Sequence, residues 1–202
     1  MTRPRESGDA GQAFPIYITV VAGLLFLAFA YLAVGQTAVN RNGAETAADA
    51  AALAAAQDTR DKLAGEWVRD VLDPTKWQDV FSGKGAVLDG CWRAYQLAAQ
   101  NDAHMAGSAC GPQSWPLGYR VEVETNRPVG DSVVPATSHT RSRAEAVAVI
   151  EPRCMFDLPV GQGGKGTLPQ LNCKGRTWHL NPDDLTDLPG PEDLFDVHLA
   201  AD

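Results

Sequence analysis

Hydrophobic and polar positions change period several times along the chain, and each change marks an element. Residues 14–34, FPIYITVVAGLLFLAFAYLAV, form an uninterrupted apolar run of 21 residues without a charge. As a helix it reaches roughly 31 Å, matching the ~30 Å hydrocarbon core of a bilayer. Pro15 falls in the first turn, where its missing N–H costs little. Tyr17 and Tyr31 sit near the two ends, where amphipathic rings suit the membrane interfaces. Two other readings compete: a buried core helix, for which the run is long, and a cleaved secretory signal with a small-residue site such as AFA at 28–30. The pattern predicts a retained transmembrane helix over 14–39.

Helical character continues past the span. Asn42 with Glu45 three residues on has the form of a capping box, so a helix could restart there with a kink at Gly43; alternatively the membrane helix runs straight through. Residues 47–56 read AADAAALAAA, with eight alanines covering every side of the helix. Such a rod loses little entropy on folding but offers little side chain to bury in a core. It can let another helix approach closely, as small residues do in bundles. Ala47, Ala51, Ala54 and Ala55 are therefore candidates for packing against a partner helix, and a stiff spacer is the compatible alternative. Further on, Leu63, Trp67, Val68, Val71 and Leu72 recur at helical spacing until Asp73-Pro74 ends the segment, giving an Ala-rich membrane-proximal helix over 40–73.

The remainder reads as a small α+β domain over 74–176. Leu88, Cys91, Trp92 and Tyr95 suggest a helix within 87–105. YRVEVET (119–125) and RAEAVAVIE (143–151) alternate as half-buried strands that could pair antiparallel across the connection 126–142. Beyond Glu151, Pro and Gly dominate and loops are expected. The last segment, 177–202, carries seven acids and no Lys or Arg, with Pro182, Pro189 and Pro191, which favours an extended or disordered acidic tail.

Charge and cysteines refine this picture. From Gln57 onward there are 14 Lys and Arg against 21 Asp and Glu, a net charge of −7. An acidic surface repels phosphate backbones and argues against nucleic acid as a partner. The short N-terminal tail, 1–13, carries Arg3 and Arg5, which places it in the cytoplasm and the C-terminal domain outside. All four cysteines, Cys91, Cys110, Cys154 and Cys173, follow the span, as disulfides in an oxidising compartment would. Three pairings are possible, and the spacing does not choose among them. No C-x-x-C occurs to support zinc.

Chemistry is sparse. GQGGKG at 161–166 matches G-x-G-x-x-G, but Pro159 precedes it and Thr167-Leu168-Pro169 follows, so the strand and helix of a dinucleotide site are absent from the pattern. Gly83-Lys84-Gly85 fails the phosphate-loop pattern at both ends. His104, His139, His179 and His198 lack ligand spacing, and Asp183, Asp184 and Asp187 lack the rest of a calcium loop. No catalytic, cofactor-binding or metal residues are assigned, and a non-enzymatic protein without a cofactor is expected.

Gly11, Pro15 and the run Thr46 to Ala56 bring in a family. Residues 8–56 resemble the N-terminal region of the TadE/TadG-like Flp pilus-assembly proteins: a basic tail, a glycine, a span with an early proline, then a helix ending in a version of N-A-A-D-A-A-A-L-A-A-A. The resemblance implies a single-pass protein of the bacterial cell envelope that assists assembly or anchoring of a Tad pilus. Its partners would be the lipid bilayer and other pilus-assembly membrane proteins or pilin subunits. Members processed by prepilin peptidase carry Glu five residues after the cleaved glycine. Here that position is Ile16, so the anchor is expected to be retained. The D-x-S-x-S metal pattern of large TadG members is also absent from the sequence. The alternative function is a membrane-tethered extracytoplasmic binding module unrelated to pili, with an enzyme assembled from distant residues the remaining one.

Overall fold

A computed structural model of the chain describes residues 13–85, 88–128, 139–158 and 168–201. The N-terminal tail through residue 12, the glycine motif at 161–166 and most of the 126–142 connection lie outside them. One helix dominates. α1 runs unbroken from Ala13 to Arg69, 57 residues or about 86 Å. Asn42 therefore caps nothing. Its carbonyl accepts a bond from the Thr46 hydroxyl at 2.9 Å, and Arg41 pairs with Glu45 one turn on at 3.0 Å. Gly43 meets no neighbour and produces no break.

The two halves of α1 have different surroundings. Phe14 to Leu32 is wholly unburied, with a mean hydropathy of 2.1, and is long and apolar enough to cross a membrane. From Ala44 the helix enters the domain, and Ala44, Ala47, Ala48, Ala51, Ala52, Ala55 and Ala56 have no exposed surface at all. The alanine stretch is core. The idea that it buries too little to anchor one is thereby corrected: several elements share the burial, and alanine permits each to come close.

Those elements are two short helices and a sheet. α2 (Trp77–Phe81) follows α1, then α3 (Cys91–Gln100) packs against α1. The main sheet is antiparallel in the order β1-β2-β3-β7, from β1 (Ala103–Ser114), β2 (Leu117–Thr125), β3 (Arg143–Pro152) and β7 (Phe195–Leu199). β2 and β3 pair as their alternation suggests, with Tyr119 opposite Ala148 and Val121 opposite Ala146. The α1-facing row of Tyr119, Val121, Val123 and Ala148 is buried, while Arg120 and Glu145 on the other face form an exposed ion pair. A second small sheet, β4 (Cys154–Met155), β5 (Leu171–Cys173) and β6 (Arg176–Trp178), lies where only loops were expected.

Three expectations change. The helix placed within 87–105 ends at Gln100, and β1 starts at Ala103. β1 was hidden because its register jumps between Met105 and Cys110, where residues 106–109 bulge out around Gly107 at φ 66°. The acidic end is not a free tail: α4 (Pro191–Leu194) leads into β7, which adds to the sheet beside β3. FDVHL alternates after all, with Phe195 buried, and the surrounding aspartates concealed a strand of only five residues.

Candidate interaction surfaces

Close approach explains the alanines. A Cβ added at Gly90, the residue before α3, would lie 2.3 Å from the Ala55 carbonyl oxygen, so the start of α3 rests on the α1 backbone itself. Ala94 and Ala98 of α3 are fully buried as well. A small-residue contact of this kind brings polar groups together, and they are satisfied. The Gly90 N–H donates to the Tyr119 hydroxyl at 3.0 Å, and the Tyr119 and Thr59 hydroxyls lie 2.8 Å apart. Thr59 and Tyr119 are both buried, and one phenol thus ties α1, the α3 entry and β2.

Of the helix-packing candidates, Ala47, Ala51 and Ala55 are inaccessible and Ala54 nearly so. They pack, but inside their own domain, and no partner helix can reach them while it is folded. Among the described residues the long accessible apolar surface of α1 is the 14–32 stretch, with Val39 exposed beyond it.

Cross-links fix the remaining elements. Cys91 in the first turn of α3 is bonded to Cys110 just past the β1 bulge, with 5.8 Å between Cα atoms. Cys154 and Cys173 face one another across β4 and β5 and are also bonded. At the far end of α1, Trp67 and Trp77 lie 5.5 Å apart, Phe156 meets Trp77 edge-on at 5.2 Å, and Phe81 bridges Phe156 and Phe195. A hollow of about 710 Å³ opens there, walled by Phe81, Leu117, Ile150 and Phe156. Trp115 and Met155 also line it and are 95% and 76% exposed.

Charged groups are mostly paired on the surface. Lys62 bridges Asp58 of its own helix, at 2.7 Å, and Asp89 ahead of α3. The hydrogen bond to Asp58, then that to Asp89, raises the Lys62 pKa above its ordinary value, and the Lys62 bond holds Asp89 below the usual carboxylate range. Glu124, near the end of β2, accepts from Arg143 at 2.8 Å with Arg141 at 3.6 Å. The Arg143 hydrogen bond is the main cause of its lowered pKa. Lys84 of the rejected phosphate pattern pairs with Asp79 at 3.3 Å in the turn after α2. His104 bonds Asn126, and His198 stands 3.8 Å from Asp196. Among the described residues no group of three or more His, Cys, Asp or Glu is placed to hold a metal ion.

Comparison with protein families gives a match: the model for Flp pilus-assembly TadE/G-like proteins covers residues 11–58. The matched stretch is the exposed apolar half of α1 together with the alanine segment, stopping one residue before Thr59. Neither the curated proteins nor the solved structures compared with the chain give a match.

Proposed function

From the family match on α1, we propose that this chain is a non-enzymatic, single-pass envelope protein that assists assembly or anchoring of a Tad/Flp-type pilus. The observation that carries this reading is the coincidence of the 11–58 match with a helix that is bare and apolar for its first half. Phe14 to Leu32 crosses the bilayer with the N-terminus in the cytoplasm and the disulfide-bonded domain outside. Lateral contacts with other pilus-assembly membrane proteins run through this exposed stretch rather than through the alanines, which are already occupied. A 57-residue helix shared between bilayer and domain also transmits orientation: no joint intervenes between the span and the sheet.

The test is made in cells that build such a pilus. The full chain should stay with membranes after alkaline extraction, and photo-crosslinkers at Leu25 and Phe29 should capture pilus-assembly components. Release into the soluble fraction, or crosslinks to none of those components, would overturn the reading.

A further inference from the structure

The chain carries a formal charge of −8, yet the end of the domain nearest the apolar half of α1 is basic. Arg41 stands on α1, Arg127 ends the β2 arm, and His139, Arg141 and Arg143 lead into β3, all exposed or partly so. Of the carboxylates there, Glu45 and Glu124 are each paired with an arginine, and Asp102 stands beside Asn126, whose N–H bonds the Asp102 carbonyl at 2.8 Å. The opposite end is mixed in charge: Asp70 pairs with Lys76 and Asp79 with Lys84, while Asp157 lines the far hollow.

Two hollows adjoin at this basic end. One, about 510 Å³, lies between Tyr31, Leu32 and Val39 of α1 and the loop residues Arg127 and Pro128. The other, about 450 Å³, shares Pro128 and is lined by Glu124, His139, Arg141 and Arg143. The Asn40 amide donates to the Arg127 carbonyl at 3.4 Å and fixes the loop's height on the helix. Eight residues of helix separate Leu32 from Asn40, roughly 12 Å, and the first hollow reaches back to Leu32 itself. The headgroup layer beyond the hydrocarbon is about 5–8 Å deep on each side. The loop backbone thus stands just outside the headgroup layer, from which long arginine side chains reach back toward the phosphates while the apolar wall at Leu32 meets the acyl chains.

We propose that this pair of hollows seats an anionic phospholipid of the membrane that α1 crosses. The phosphate diester lies between Arg127 and the Arg141 and Arg143 side chains, and the first methylenes run along Leu32 and Val39. A zwitterionic headgroup brings its own cation and gains less from this field. The inference rests on the reading that α1 spans the bilayer; it adds a seat that fixes the domain's rotation against the membrane surface.

The test uses the full chain in nanodiscs of phosphatidylcholine, alone or mixed equally with phosphatidylglycerol, read by amide hydrogen exchange. Residues 14–32 should be protected in both. Peptides covering 123–128 and 139–146 should exchange roughly tenfold or more slowly only with the anionic lipid, and Arg127→Gln with Arg141→Gln should abolish that difference while leaving exchange in the alanine segment unchanged. Inorganic phosphate added to neutral nanodiscs should not reproduce the slowing. Equal exchange in the two lipids overturns the seat and leaves the span intact. Slowing by free phosphate overturns the lipid assignment, and unprotected 14–32 overturns both span and seat.

Discussion

The hydroxyl of Tyr119 on β2 lies 2.8 Å from that of Thr59 on α1 and accepts the Gly90 N–H at 3.0 Å. Replacing Tyr119 with Phe keeps the ring and strands two buried polar groups, at a cost of about 2 kcal/mol. The soluble domain should melt roughly 4–8 °C lower. Thr59→Val should cost less, because Tyr119 retains Gly90 as a partner. Equal Tm values for wild type and Tyr119→Phe would show that the contact contributes nothing.

Enlarging the alanines should damage the domain itself. Ala51→Leu or Ala55→Leu inserts side chain where no surface is exposed, an overpacking change of about 1–3 kcal/mol or more. Gly90→Ala should do the same, since its Cβ would meet the Ala55 carbonyl at 2.3 Å. Urea denaturation should show lowered midpoints for all three. An unperturbed midpoint for Ala55→Leu would mean that α3 does not rest on α1.

The two disulfides close loops of equal sequence separation, 19 residues, and each should stabilise by around 3 kcal/mol in the chain-entropy picture. Cys110→Ser, which releases α3 from the β1 bulge, should lower stability by that order. Mass mapping of non-reduced peptides should recover Cys91 with Cys110 and Cys154 with Cys173. Crossed pairs would contradict the register of β4 and β5.

Glu124 supplies a pH signature. Its pKa is depressed in the folded state by Arg143, so its contribution is present above the ordinary glutamate value and fades as pH falls through the lower folded value. The stability gap between wild type and Glu124→Gln should hold at neutral pH and close in acid. A gap that widens as pH falls would reverse the assigned sign.

The readable parts of the sequence were those with a clean period. β2 and β3 alternate strictly and pair as expected, and the apolar run to Leu32 is a single exposed helix. β1 escaped because Gly107 and the bulge break its alternation. β7 escaped because Asp196 and His198 lie amid an acidic stretch and outweigh Phe195, Val197 and Leu199 on composition. The alanines were legible as a packing surface but not as to what packs on them. A side chain without bulk records how close a neighbour comes and nothing of its identity, so Ala55 could not point to Gly90, 35 residues on.

One comparison tests the central claim, that a single helix serves the bilayer with its first half and forms the domain core with its second. Two soluble fragments, 40–202 and 57–202, should be oxidised and unfolded by heat while monitored by near-ultraviolet circular dichroism. The account predicts a cooperative transition for 40–202 and none for 57–202, which lacks the alanine core. Equal, cooperative melting of both fragments would contradict it.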